Sequence, residues 1–466
     1  MEPEGDVATP ALLDPESLGF MCGIEVHQQL ATGKLHSRQP GQLHDITIET
    51  LPSDWPQFHR RLHSARGEGG AIDVAARFES RRNRSFVYCQ APNSGLIELD
   101  EQPPLPHDDD ALDISLTVSG MIGAHPVPLL QTMRKTVVDG SNTSGFQRTT
   151  LVATAGVLET EGGPVGIDVL CLEEDSARKL DSKLTPDGEV VTWNLDRLGI
   201  PLIEIATAPD VKTPDHAKQT SIALGRTLRD TRRVRRGLGS IRQDLNVSLM
   251  CGDRVEIKGC QDLDWIPKII RCEMSRQLHF YRLANQLRSS NQLPLLSPDR
   301  RIESPNVADE VSKILKLELV DVSSSFESCE SKMVKSGLES NSIMLALPLP
   351  GFNGLIGVKE FDADGAQMPR LGRELAGAAK LAGVAGVFHS DELPAYGIEQ
   401  EFVDATRKQL NGVDAFVLCL APRWQGELAL ESVLNRARMA FDRIPQEVRN
   451  VVIKKGSPED GTTTPM

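Results

Sequence analysis

The spacing of apolar and polar residues predicts strands in the first half of the chain, with helices between them. Residues 21–30 alternate between apolar and polar positions, residues 200–207 form a compact apolar run, and residues 254–259 resemble a short strand. Both patterns are typical of β-strands. A helix is predicted to begin after Thr213, because Pro214 suits the first helical position and apolar residues follow it at helical spacing. The sequence therefore predicts an α+β fold.

A charged segment rich in Ser and Leu, at about residues 276–345, interrupts this pattern and predicts a boundary zone. Beyond it, Gly-rich turns alternate with short strands and one helix at about residues 370–382. At 466 residues the chain is too long for a single core, so about two to three domains are expected.

Composition narrows the class of protein. No run of about 18 apolar residues occurs, and the first 30 residues lack a basic start with an apolar core. The sequence thus predicts neither a membrane span nor a signal peptide. The eight cysteines are scattered without a C-x-x-C pair, which is typical of reduced thiols in a cytoplasmic protein.

The net charge of −14 argues against a protein that coats nucleic acid non-specifically. One window departs from this balance: residues 226–242 hold seven arginines and a single acid, Asp230. A solvated helix face and a surface that docks an RNA backbone both fit this stripe.

Residues 133–153 carry many polar side chains and little apolar filler. Gly140 and Gly145 permit tight turns, and Lys135 with Arg148 can meet an anion. A solvated loop and a substrate site are both compatible with this segment. Its other polar candidates are Asp139, Asn142, Ser144 and Gln147.

Acidic residues and one histidine suggest a metal site. Glu25 and His27 stand at positions i and i+2 of a predicted strand, so they point to the same face and can share a cation. Three consecutive carboxylates, Glu173, Glu174 and Asp175, repel one another unless a metal ion or a basic group offsets them. Carboxylates suit Mg²⁺, whereas a histidine ligand leaves Mn²⁺ or Zn²⁺ open. The alternative for His27 is a half-buried histidine that makes hydrogen bonds with its neighbours and binds no metal.

Longer motifs give a family resemblance that runs from about residue 18 to the last residue. In wording and order they resemble the GatB/GatE family of tRNA-dependent amidotransferases, and within it the archaeal GatE members. The matching stretches are GIEVHQQL at 23–30, FHRRLHSARGEGGAIDVAARFE at 58–79, LIELDEQPP at 96–104, MRKTVVDGSNTSGFQRTTLVA at 133–153, LEEDSARK at 172–179, NLDRLGIPLIEIATAPD at 194–210, GLGSIRQDLNVSL at 237–249 and VEIKGCQDL at 255–263.

The resemblance implies an ATP-dependent reaction. ATP phosphorylates the γ-carboxylate of glutamate misacylated on tRNA(Gln), and ammonia then displaces phosphate to leave glutamine. Glu25, His27 and one glutamate of the run, Glu173 or Glu174, match the family's metal ligands. The further candidates are Lys135 and Arg242 for phosphate, Asp196 with Asp244 for metal or ammonium, and Ser144 and Gln147 for substrate hydrogen bonds.

The implied cofactors are ATP and Mg²⁺, and ATP is not bound by a P-loop because no G-x-x-x-x-G-K-[ST] motif occurs. No cysteine lies in a recognisable nucleophile setting, so ammonia has to come from a partner. In the family that partner is the asparaginase-like, GatD-type glutaminase, which forms a heterotetramer with GatE. The substrate tRNA would dock its acceptor arm on four arginines of the basic stripe: Arg229, Arg232, Arg233 and Arg236.

The resemblance also implies a domain order, and this chain departs from the family's pattern at one point. Where family members carry cysteines, this chain reads KLHSRQP and APNSGLIELDE, so the sequence leaves open whether a structural zinc persists, and His36 alone could not hold one. The chain stops within a phrase that the family continues, so we expect a truncated chain without the helical and tail domains. The expected segments are a disordered lead at 1–18, a cradle-type catalytic domain at 19–300, an inserted GAD-like domain at 301–440 and a return to the catalytic domain at 441–466.

Two alternative functions stay open at this point. A bacterial-type GatB protein would also act on Asp-tRNA(Asn), although DGSNTSGFQR and the inserted unit disfavour it. A tRNA-binding paralogue without catalysis is disfavoured by the intact Glu25 and His27.

Overall fold

The computed structural model describes residues 2–61, 84–185, 188–454 and 457–466, and its mixture of sheets and helices confirms the α+β prediction. The chain forms two compact units. The N-terminal unit comprises Ile24–Asp210 and Gln219–Gln243. The C-terminal unit comprises Met1–Gly23, Val211–Lys218 and Asp244–Met466.

The larger sheet of the N-terminal unit contains the predicted strands at 21–30 and 200–207. Its order is β1-β10-β7-β6, and both β4 and β5 pair with β6; all of these pairings are antiparallel. Strand β10 is buried at almost every position, which explains why its sequence is a continuous apolar run. These strands are β1 (Met21–Gln29), β4 (His125–Pro126), β5 (Thr132–Thr136), β6 (Phe146–Leu158), β7 (Val165–Glu174) and β10 (Pro201–Thr207).

A second sheet of the N-terminal unit has the order β2-β3-β9-β8, in which β3 and β9 run parallel. It packs around a core that includes Phe86, Tyr88 and Trp193. The hydroxyl of Tyr88 donates to the Gly140 carbonyl over 2.7 Å, so this sheet contacts the polar segment at 133–153. The strands are β2 (Gln57–Arg61), β3 (Arg84–Cys89), β8 (Arg178–Thr185) and β9 (Gly188–Asn194).

The C-terminal unit also contains two sets of paired strands. One has the order β11-β12-β17-β18, with β12 and β17 parallel, and the other has the order β13-β14-β16-β15. The second set packs on Phe326, Phe402 and Phe416. The bounds are β11 (Ile241–Ser248), β12 (Val255–Lys258), β13 (Val320–Asp321), β14 (Ile343–Pro348), β15 (Phe388–His389), β16 (Phe416–Ala421), β17 (Glu447–Lys454) and β18 (Ser457–Pro465).

The helices include both that the sequence predicted. The helix that follows Thr213 is capped as expected, because the His216 amide donates to the Thr213 hydroxyl over 3.1 Å. Within the described parts of the chain, none of the helices is both long enough and apolar enough to cross a bilayer. They are α1 (Asp109–Met121), α2 (Pro214–Asp230), α3 (Ile266–Ser290), α4 (Ala308–Ile314), α5 (Lys332–Glu339), α6 (Leu371–Leu381), α7 (Gln400–Gln409) and α8 (Arg423–Met439).

Two sequence predictions need correction. The lead at 1–18 was expected to be disordered, yet Leu13 and Leu18 are buried and the Arg282 guanidinium donates to two carbonyl oxygens of the lead. The boundary zone at about 276–345 begins inside α3, which has 25 residues. The lead contains enough apolar surface to pack against this helix, and acidic composition alone does not reveal that. The predicted bounds of the inserted domain stay a prediction.

Lys34 is buried in the N-terminal unit (0% exposed), where its ammonium donates to the Leu195 carbonyl over 3.1 Å and lies 3.7 Å from Glu98. Burial lowers its pKa from the ordinary 10.5 to about 8, against the opposing charges of Glu98 and Asp196. The folded protein therefore releases this proton before the unfolded chain does.

The contribution of Lys34 to the free energy of unfolding should accordingly rise with pH between about 8 and 10.5, where Lys34 binds more protons in the unfolded chain than in the folded protein. The test compares urea unfolding of the wild type with Lys34→Met across this range. The free energy of unfolding of the wild type should increase relative to that of Lys34→Met as the pH rises. Parallel curves would show that Lys34 is not the group responsible.

A network of buried charges lies in the C-terminal unit. The Glu374 carboxylate accepts hydrogen bonds from Arg276, Arg436 and Arg449, with its two contacts to Arg449 both at 3.0 Å. Two more carboxylates, Glu273 and Glu447, bring the network to three arginines and three glutamates. The charges balance, and the network connects helices α3, α6 and α8 with strand β17.

Candidate metal and phosphoryl-transfer site

Strand register brings the predicted site residues to one face of the larger sheet of the N-terminal unit. His27 on β1 lies opposite Glu204 on β10, and Glu204 lies opposite Cys171 on β7. Glu173 is two residues beyond Cys171 and therefore shares its face. On β6, Thr149 lies opposite Glu173, and Gln147 is two residues before Thr149, so its side chain is on the same face. Lys135 on β5 lies opposite Gln147 and shares this face.

Three of these side chains form a cluster. The His27 Nε2 atom lies 2.9 Å from the Glu25 carboxylate, and both side chains are half-buried. Together with Glu204 they place one ligand atom each within 4.8 Å of one another. This is the one group of three or more potential metal ligands found in the described ranges of the chain. One imidazole nitrogen and two carboxylates are a donor set that fits a divalent cation.

Glu173 extends the cluster. Its carboxylate accepts from the Thr149 hydroxyl over 2.8 Å and from the Gln147 amide over 3.0 Å. The Lys135 ammonium lies 3.6 Å from Glu173 and 3.9 Å from Glu204. Lys135 is thus placed where it can neutralise an anion that arrives at this face.

Glu173 and Glu204 interact closely enough to share a proton. Burial raises the pKa of Glu204 to about 9, and the hydrogen bond and charge of Glu173 add to this shift. Burial also opposes ionisation of Glu173, but the hydrogen bond from Glu204 and the charges of Lys135 and His27 lower its pKa overall. The two neighbouring carboxylates therefore do not both ionise readily at neutral pH.

The other two carboxylates of the acidic run are engaged elsewhere. Glu174 points to the opposite face, where the Arg148 guanidinium donates to it over 3.0 Å. Asp175 accepts from Gln29 over 2.7 Å and from Arg242 over 2.9 Å. All three carboxylates are buried, because arginines offset two of them. Of the two glutamates predicted as metal ligands, the structure brings Glu173 to the cluster and not Glu174.

The polar segment at 133–153 contains tight turns at its two glycines. Gly140 and Gly145 have φ values of +85° and +75°, as their predicted role in tight turns requires. A Cβ at Gly140 would lie 2.4 Å from the Phe86 ring, so no larger residue fits there. Ser144, predicted to contact substrate, instead donates to the Phe146 carbonyl over 2.9 Å. Gln147, also predicted to contact substrate, donates a hydrogen bond to Glu173 beside the cluster.

Asp196 and Asp244, predicted to bind a metal or ammonium, lie in different units. The Asp196 carboxylate is fully buried and accepts from the His44 amide over 2.8 Å. Asp244 accepts from Lys258 over 2.6 Å. Each aspartate is therefore held by groups of its own unit. His36 is buried and its Nδ1 atom lies 2.9 Å from the Leu105 carbonyl, with no zinc-type set of three ligands around it among the described residues.

The basic stripe divides into different roles. Helix α2 ends at Asp230, so Arg232, Arg233 and Arg236 lie in the segment after it. Arg233 pairs with Asp110 and Asp113 over 2.7 and 2.6 Å, which neutralises it. Arg229, Arg232 and Arg236 are exposed, and none of the three has a carboxylate partner in the described part of the chain.

Sequence reasoning missed Glu204. It is the only charged residue in the apolar, buried strand β10, and a lone carboxylate in such a strand needs a partner. That pattern was visible in the sequence. The partner was not, because it depends on the register with β1.

Comparison with known proteins shows the family to which the chain belongs. The E subunit of the glutamyl-tRNA(Gln) amidotransferase of Sulfurisphaera tokodaii is 40% identical over 97% of this chain and 66% of its own length. The proteins of the same name from Pyrococcus furiosus and Methanocaldococcus jannaschii are 42% and 41% identical, over 94% and 96% of this chain and 64% and 65% of their own lengths. The chain thus spans slightly less than two thirds of these relatives. A family model for the GatB/GatE catalytic domain matches residues 20–310, and the chain belongs to this family.

Proposed function

We propose that the chain carries out ATP-dependent amidation of glutamate misacylated on tRNA(Gln). The observation that carries the proposal is the cluster of Glu25, His27, Glu204 and Glu173, with Lys135 beside it on one sheet face. Relatives named as the E subunit of glutamyl-tRNA(Gln) amidotransferase support the substrate. The bacterial-type and non-catalytic alternatives remain outcomes of the test.

The chemistry requires activation, because a carboxylate has no usable leaving group for attack by ammonia. The γ-phosphate of ATP passes to the glutamyl γ-carboxylate, and ammonia then displaces inorganic phosphate to leave the amide. Positioning and charge neutralisation supply most of the rate of such a transfer. Lys135 would bind a phosphate or carboxylate oxygen, and Gln147 would keep Glu173 oriented through its 3.0 Å hydrogen bond.

Glu25, His27 and Glu204 would hold a divalent cation such as Mg²⁺ or Mn²⁺, with Glu173 beside them. When bound, the ion would neutralise the phosphate oxygens of ATP. The close approach of the Glu173 and Glu204 carboxylates supports a cation at this place.

We further propose that ammonia comes from a GatD-type glutaminase partner in the cytoplasm. Seven of the eight cysteines are buried and the remaining one, Cys272, is half-buried. Burial raises the pKa of the Cys171 thiol to about 12, and it also raises the pKa values of the Cys251 and Cys272 thiols. Such thiols are poor nucleophiles at neutral pH, so they do not suit glutamine hydrolysis.

The assay uses the purified chain, Glu-tRNA(Gln), ATP and ammonium chloride, so that the partner is not needed. Gln-tRNA(Gln) should form only when ATP and ammonium are both present. Asp-tRNA(Asn) as a second substrate tests the bacterial-type alternative. Binding of tRNA without any ATP-dependent glutamine would contradict the proposal and favour the non-catalytic paralogue.

The exposed arginines give a prediction for tRNA binding. Arg232→Glu combined with Arg236→Glu should weaken binding of tRNA by about tenfold or more and flatten its salt dependence, since each lost phosphate contact removes counterion release. Arg233→Gln is the matched control, because its charge is already neutralised by Asp110 and Asp113. Filter binding over a salt series measures both. If the salt dependence of tRNA binding were the same in the double variant and the wild type, these arginines would be solvated surface residues that do not contact tRNA.

A further inference from the structure

The segment between Arg236 and Ile241 presents an apolar side chain to solvent in an unusual way. Leu238 is fully exposed (104%) and stands between Gly237 and Gly239, whose φ values are +106° and +79°. Such backbone conformations favour glycine, so the loop is shaped to present this one side chain. Ile241, also exposed (36%), adds a second apolar contact.

The loop is held in place. The Ser240 hydroxyl donates to the Gly237 carbonyl over 2.7 Å and closes the turn. From β1, the buried Gln28 amide donates to the carbonyls of Arg235 and Ser240 over 3.0 and 2.9 Å. The Gln29 backbone amide also donates to Ser240, over 2.8 Å. A fixed loop loses little conformational entropy when it binds a partner.

These hydrogen bonds place the loop next to the candidate metal site, because Gln28 and Gln29 directly follow His27 on β1. Two residues of a strand span about 7 Å. If the chain amidates an aminoacyl group on tRNA, the part of the RNA that has to reach this place is its 3′ end. The inference rests on the proposed function in this respect.

The charges around Leu238 fit RNA and not an apolar protein surface. Arg232 and Arg236 precede the loop and are exposed, and neither has a carboxylate partner among the described residues, whereas Arg242 after the loop pairs with Asp175 over 2.9 Å. Guanidinium groups suit phosphates, whereas an apolar side chain suits the face of a nucleobase. We propose that Leu238 packs against an unpaired nucleobase at the aminoacylated 3′ end of tRNA, while Arg232 and Arg236 contact its phosphates.

The test measures binding of the chain to two RNA hairpins with the same acceptor stem, one with and one without the single-stranded 3′ extension. The wild type should bind the extended hairpin more tightly. Leu238→Ser should lose roughly fivefold on the extended hairpin and little on the blunt one. Leu238→Met should keep the preference, and Leu129→Ser, at another exposed leucine (76%), should behave as the wild type.

An unchanged preference for the extended hairpin in Leu238→Ser would overturn the inference while leaving the proposed function intact. Equal losses on both hairpins would also overturn it, since they would place Leu238 on the stem. If the wild-type chain binds neither hairpin nor whole tRNA, the proposed function itself fails, and the inference fails with it. Circular dichroism of each variant shows that the fold is retained.

Discussion

Replacement of Glu204 by glutamine is expected to lower ATP-dependent amidation by at least about 100-fold, because a metal ion contributes several kcal/mol to charge stabilisation in the transition state. The substitution keeps the size of the side chain but removes a carboxylate that lies opposite His27 in the sheet. Affinity for Mn²⁺ should fall with activity. Titration of Mn²⁺ by electron paramagnetic resonance gives the affinity, and the amidation assay gives the rate.

The control for this experiment is Asp168→Asn, which removes an exposed carboxylate from strand β7 of the same sheet. It should change neither quantity. If Glu204→Gln were as active as the wild type and bound Mn²⁺ equally well, Glu204 would not belong to the site, and the assignment would return to Glu25, His27 and Glu173.

Replacement of Glu374 by glutamine should destabilise the protein by about 3–5 kcal/mol, because it leaves buried guanidinium groups without a counter-charge. Glu374 is 3% exposed, and Arg449 beside it is 1% exposed. Arg276 and Arg449 would then share two carboxylates with Arg436. The loss should appear as a lower urea midpoint for unfolding.

The matched control is Glu427→Gln, whose half-exposed carboxylate lies 3.7 Å from Arg423 at the surface. Exposed pairs of this kind contribute about 0–1 kcal/mol. A loss of less than about 1 kcal/mol for Glu374→Gln would show that water or a rearrangement satisfies the arginines. The charge network would then not be a main source of stability for the C-terminal unit.

Local patterns in the sequence predicted what depends on neighbouring residues. Alternation along β1 placed Glu25 and His27 on one face, and the cap at Thr213 placed the start of α2. Glu204 and the choice of Glu173 over Glu174 could not be predicted in this way. They depend on how β1, β10 and β7 pair, and a shift by one residue would turn each side chain to the other face.

Helix α3 was missed for a related reason. Its buried face contains Glu273, Arg276 and Arg288, so the helical pattern of apolar residues is broken by charged residues. Arg276 pairs with Glu273 one turn away, but it also needs Glu374 and Glu447, which are distant in the sequence. The four arginines of the basic stripe were likewise predicted to act alike. The sequence near Arg233 does not show that Asp110 and Asp113 neutralise it.

If Glu25, His27 and Glu204 hold a divalent cation for phosphoryl transfer, a crystal of the chain soaked with Mn²⁺ should show it by anomalous scattering. We expect a peak within about 2.3 Å of the His27 imidazole and of the carboxylates of Glu25 and Glu204. Anomalous density elsewhere in the N-terminal unit, with none at this cluster, would contradict it.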